Sequence, residues 1–241
     1  MNHMKKFMLS LLAFAFIGLV NSFAQKSLEE ARIKYEVTSV KSDDPQMESM
    51  LNMMKGSVLE VTFNADKQWT KVDMMGGMVV MNTLNDVKLK KTTLLMDMMG
   101  RKIKVEGTDE EFKKMDGNVD PDDIEYEISY EKSSTKEIAG YPCYKAILSS
   151  KHDGVEMNLI AYVTDKLKAP KSVVRNVDAK QLDGLPLEYT VETMGFAMTY
   201  TATSVERKVD PSIFTIPDGY ESMSFDEFIN TMGAMGGGMG Y

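Results

Sequence analysis

Beyond its first two dozen residues the chain offers one histidine and one cysteine for chemistry, and neither has a partner nearby in sequence. His152 precedes Asp153 and Gly154, a hairpin-turn signal, so its imidazole belongs at a solvated turn rather than in a proton-transfer site. Cys143 stands within an apolar strand-like run with no second cysteine, which reads as a small core residue and rules out an internal disulfide. No nucleophile elbow, P-loop, dinucleotide fingerprint or His/Cys metal spacing occurs. The carboxylates mostly alternate with apolar residues, as on solvated strand faces, and no pair stands out for acid–base work. The sequence therefore reads as a non-enzyme without a cofactor.

Two inorganic options remain. Asp116, Asn118 and Asp120, with Glu127 eleven residues after Asp116, copy much of a calcium loop of hard oxygen ligands. Pro121 replaces the glycine of the sharp turn, and an alternating strand follows where a helix should, so a solvated acidic loop is the plainer reading. Met47, Met50 and Met53 are three apart, and Met232, Met235 and Met239 crowd the carboxyl end. Thioethers ligate Cu(I), but no Cys or His lies near them to complete a selective set.

Methionine is better used here as apolar material. Of 22 methionines, 11 fall within residues 47–99. The side chain is unbranched and polarizable, suited to irregular or adaptable surfaces. Met50, Leu51 and Met54 lie on one helical stripe. Facing strand residues such as Met78, Val80 and Leu95, with Trp69 at the rim, they are expected to line an apolar cavity for a lipid, acyl chain or lipoprotein. The alternative is that the same residues seal a filled core, leaving an envelope scaffold or stress-related interaction module with no ligand.

The elements that would position these residues are short and numerous. Asp44 caps, and Pro45 opens, a helix of about ten residues that cannot stand alone in water. Alternating runs at 31–40, 59–63, 69–73, 78–84, 87–95 and 101–105 are separated by turn residues, the pattern of an antiparallel meander. A short acidic helix spans 108–115. Further strands are expected at 124–131, 141–148, 155–163, 172–176, 186–192, 196–205 and 213–216, then a terminal helix over 222–232 with Ser224 as its cap. About a dozen strands in one sheet must curl. The expected fold is mainly β: a meander curled into an unclosed half-barrel, with two or three short helices, one acting as a lid.

Residues 1–24 resemble a secretory signal peptide, with Lys5 and Lys6, a 14-residue apolar run too short to span a bilayer, and Ser22-Phe23-Ala24 as cleavage site. No cysteine stands directly after this apolar run, so the mature protein is expected to be periplasmic, soluble and without a lipid anchor. A single domain is expected over 25–232, with a flexible glycine-methionine tail over 233–241. Without Lys5 and Lys6, 26 basic residues face 36 acidic ones, a net charge of −10. That balance argues against nucleic acid and against charge-driven membrane docking, and leaves lipid or lipoprotein as the expected partner of a monomer.

The second half carries a resemblance. KEIAGYPCYKA (136–146), AYVTDKL (161–167), GLPLEYTV (184–191), YTATSV (200–205) and VDPSIFTIPDGYESM (209–223) resemble an exported family of unknown function common in Bacteroidota. Its fold is similar to that of the periplasmic lipoprotein carriers and receptors of the LolA/LolB type. The resemblance implies a half-barrel with helices over a hydrophobic cavity and brings no functional residues. The methionine-rich arm lies outside it.

Overall fold

The structure is a computed structural model that describes residues 26–115, 126–152, 155–169, 182–193 and 195–235. Twelve strands share one sheet. The first meander comprises β2 (Ala31–Ser42), β3 (Val58–Phe63), β4 (Lys67–Met74), β5 (Val79–Asp86), β6 (Lys91–Met98) and β7 (Arg101–Thr108). The second comprises β8 (Glu127–Ile138), β9 (Tyr141–His152), β10 (Val155–Thr164), β12 (Leu185–Thr193) and β13 (Phe196–Glu206). They join where β13 pairs with β2. A three-residue strand, β14 (Glu221–Met223), adds in parallel to β7, while every other pair in this sheet is antiparallel. Two short strands, β1 (Lys26–Ser27) and β11 (Leu167–Lys168), pair separately.

The sheet is not closed: β14 and β8 are its two edges. It does curl, because β8 approaches β13 although β9, β10 and β12 lie between them in hydrogen-bonding order. Inside the curl, Ile33 and Tyr35 from β2, Val61 and Phe63 from β3, and Ala146, Leu148, Ala161, Val163 and Leu187 from the second meander form one buried cluster. Tyr35 donates its hydroxyl to the Pro186 carbonyl at 2.9 Å, which satisfies a polar atom the core would otherwise strand.

Three short helices are described. α1 (Pro45–Leu51) starts on Asp44, whose carboxylate accepts from the Gln46 and Met47 amides, and continues as a 3-10 turn over Asn52–Met54. α2 (Asp109–Met115) and α3 (Phe225–Met235) both open with a capping box. The Thr108 and Ser224 hydroxyls accept the amides of Glu111 and Glu227, and each glutamate accepts back from its cap residue.

Several sequence expectations shift. The turn after β5 falls at residues 87–90, not at Asn85-Asp86: Asn85 is buried in the ladder, and Asp86 both pairs with Lys67 and accepts the Leu89 amide. Residues 213–216 are not a strand. Pro211–Phe214 form a 3-10 turn capped by Asp210, and the segment lies across the outside of the sheet. Ser222 belongs to β14, which delays the last helix to Phe225 and lets it run through Gly233 to Met235. The expected strand at 172–176, the leader over 1–24, and tail residues 236–241 lie outside the described residues.

Candidate functional site

Pairing register sorts the first meander into two chemically distinct faces. Directly paired residues share a face, so four rows cross the inner one. The outermost row is Met74, Val79, Met98 and Arg101. Next come Tyr35, Leu59, Val72, Met81, Met96 and Ile103. The third is Ile33, Val61, Thr70, Thr83, Leu94 and Val105, and the innermost is Ala31, Phe63, Gln68, Asn85, Thr92 and Gly107. On this face the four strands β3 to β6 present no charged residue. Their opposite face carries Glu60, Lys67, Lys71, Asp73, Asp86, Lys91 and Asp97.

Burial is graded along these rows. The innermost is buried at Phe63, Gln68, Asn85 and Thr92, and its polar members are hydrogen-bonded within the sheet: Gln68 to Thr70 at 2.9 Å and Thr92 to Asn85 at 2.8 Å. At its end, a Cβ on Gly107 would come within 3.1 Å of Phe112 and 3.3 Å of Phe225, so glycine admits α2 and α3 to the sheet. Those two rings meet edge-on at 5.1 Å between centroids. The outer rows are open instead across β3, β4 and β5, while Tyr35, Met96 and Ile103 at the ends of the second row are buried. Leu59, Val72, Met74, Val79 and Met81 are half-buried and Met98 is exposed.

Among the described residues, the helices flank this opening without covering it. α1 rests over β2 and β13, where Leu51 and Met54 pack against Val37, Val40 and Met198. α3 rests over β6 and β7, where Phe228 packs against Leu94, Met96, Ile103 and Val105. Between them lie β3, β4 and β5; at about 4.8 Å per strand the floor between the two helices is about 15 Å wide, more than one helix diameter. The result is an apolar trough, open at the end where the chain turns through α1, residues 75–78 and residues 99–100. Met47, Met50, Met53, Met75, Met78 and Met99 are all exposed around that end.

The sequence-derived site residues scatter over this arrangement. Leu51 and Met54 cover the inner face at β2 and β13. Met50 and Met78 are 53% and 51% exposed at the open rim, outside the buried apolar clusters. Trp69, Val80 and Leu95 are the correction: the register places them on the outer face. There Trp69, Leu84 and Leu95 are buried beneath Phe214, with Val209, Ile213, Ile216 and Tyr220 packed around them. The expected wall of one cavity is thus two separate surfaces. Leu59, Val72, Met74, Val79, Met81, Met98 and Arg101, which do share the trough, escaped the sequence reading. Their signal was the period-two set Val79, Met81, Thr83, Asn85, masked because Val80 and Leu84 are apolar too.

The remaining candidates divide by placement. Asp116, Asn118 and Asp120 lie outside the described residues, and Glu127 is the exposed first residue of β8. Among the described residues no group of three His, Cys, Asp or Glu side chains is placed to hold a metal ion. Cys143 is 1% exposed, and burial pushes its thiol up to about 11. The surrounding KEIAGYPCYKA motif forms the β8–β9 hairpin, turning at Ala139 and Gly140, both at positive φ. Lys136 pairs with Glu188 and lies 3.8 Å from the Tyr162 ring centroid, tying β8 to β12 and β10. The motif thus builds this hairpin and its cross-links to β10 and β12.

No protein-family model matches the chain, and no curated protein matches it in sequence. Among solved structures, an uncharacterized conserved protein from Thermus thermophilus is similar over 88% of this chain and 99% of its own, at 8% identity and a TM-score of 0.48. LprF from Mycobacterium bovis is similar over 80% of this chain and 90% of its own, at 11% identity and a TM-score of 0.38. A β-barrel-like protein of a domain of unknown function from Brucella abortus covers 76% and 99% respectively, at 9% identity and a TM-score of 0.30. All three fall below 0.5, so the site stands on its own geometry.

Proposed function

We propose that this protein is an exported, non-enzymatic binding protein that holds an apolar chain (a lipid, a free acyl chain or the acyl group of a lipoprotein) in the trough between α1 and α3. One observation carries the reading: the inner face of β3 to β6 has no charge, and on β3, β4 and β5 its two outer rows are left half-exposed between the helices. A face with no other task would carry polar residues there, as the opposite face does. Each CH₂ removed from water on this floor contributes about 0.8 kcal/mol. The signal-like leader and the resemblance of the second half to exported half-barrel proteins support the same compartment and ligand class.

The buried inner rows favour a second reading, an envelope scaffold whose interior is filled by its own side chains. Native mass spectrometry of the protein purified from its host envelope separates the two. The binding reading expects an added mass of one or more acyl chains, restored by lipid after stripping. A bare polypeptide mass, unchanged by added dodecanol or dodecanoate, favours the scaffold.

A further inference from the structure

The trough floor is uncharged, but its outermost row ends on a charge. Arg101 opens β7 opposite Met98, on the same face as Met96 and Ile103, and is exposed. Every lysine within strands β4 to β7 has a carboxylate partner: Lys67 with Asp86, Lys71 with Asp73, Lys91 and Lys104 with Glu106, and Lys102 with Asp97. All these partners sit on the outer face by register. Arg101 is the only arginine of the meander's strands β3 to β7 and makes no ion pair among the described residues. In a chain with an eight-charge acidic excess, a free guanidinium on the apolar side is the exception.

We propose that Arg101 anchors the anionic headgroup of the chain bound in the trough, making the ligand an acyl or alkyl chain ending in a carboxylate or phosphate. This rests on the chain-binding reading above and names its ligand class. The chemistry follows from placement. The aliphatic tail lies over Met98, Val79 and Met74 and the row behind them, while the headgroup stays at the open end beside Arg101. A guanidinium offers paired N–H donors in a plane that matches carboxylate and phosphate oxygens, which an ammonium does not. The polar inner row disfavours the reverse orientation: Gln68, Asn85 and Thr92 are buried, and their side chains already hydrogen-bond within the sheet rather than facing a headgroup.

The test compares three ligands of one chain length, dodecanoate, dodecyl phosphate and dodecanol, titrated calorimetrically into the full mature protein below their aggregation limits. Both anions should bind on the order of tenfold more tightly than dodecanol, a margin that narrows with salt because the site is open. Arg101→Gln should bring the anions to the dodecanol affinity while leaving dodecanol unchanged, and Arg101→Lys should retain part of the margin. The tighter anion identifies the headgroup. Equal binding of all three to the wild type, or an undiminished margin in Arg101→Gln, overturns the anchor while chain binding stands. If none of the three binds, the trough itself is not a ligand site and both readings fall.

Discussion

The Met99 amide donates to the Met78 carbonyl at 3.0 Å, tying the β6–β7 turn to the β4–β5 turn at the open end of the trough. Met99 has φ 55° and precedes Gly100 at φ 89°, the backbone of a two-residue hairpin turn that favours Asn-Gly. Met75, in the neighbouring turn, has φ 54°. Two exposed methionines thus occupy left-handed positions that a long side chain reaches only at a cost, and no buried apolar cluster accounts for them.

Met99→Asn should therefore stabilise the protein, by about 1 kcal/mol, because asparagine tolerates the left-handed conformation better. Urea unfolding should show a higher midpoint at unchanged slope. Gly100→Ala should move the midpoint the other way.

The two faces make opposite predictions for neighbouring residues. Met81→Glu puts a charge into the half-open second row and should abolish binding of an apolar chain while leaving the circular dichroism spectrum intact. Val80→Glu puts the same charge on the outer face beside Asp73 and Asp97 and should leave binding within about twofold, because it does not reach the trough. Equal loss from both variants would contradict the assignment of the trough.

The strap over residues 209–220 is held by an aromatic and aliphatic cluster, and the Trp69 indole N–H donates to Asn82 at 3.3 Å beneath it. Phe214→Ala should cost about 3–5 kcal/mol, the range for truncating a buried aromatic side chain. Trp69 is the chain's only tryptophan, so its emission should shift to the red in that variant if the strap lifts.

Burial raises the hydroxyl pKa values of Tyr35, Tyr189 and Tyr200, lifts Tyr144 to about 12 and the Cys143 thiol to about 11. The unfolded chain releases these protons first, so above about pH 9 the native state holds more of them. The stability they contribute is fully present below that pH and is lost as pH rises through about 9 to 12. Unfolding midpoints at pH 8 and pH 10.5 should differ in that sense. Native Cys143 should resist alkylation at pH 8 and react once unfolded.

Much of the fold was legible in the chain because it is written in local periodicity. Alternation along 31–40 and 59–63, and turn residues between such runs, depend only on neighbours in sequence. The same holds for Asp44 and Ser224 as caps, whose hydrogen bonds reach no further than the next turn. What the sequence could not decide was which side of a strand faces inward where both sides are apolar. In β5 and β6, Val79, Met81, Leu94 and Met96 alternate with Val80, Leu84 and Leu95. Only the pairing of Val72 with Met81 and of Met81 with Met96 separates trough from outer cluster. Tertiary structure also turned residues 209–220 into an outer cover, which allows a convex face to bury Trp69 and Leu95. And it singled out Arg101, an ordinary basic residue in the sequence, because a free charge is defined by what packs around it.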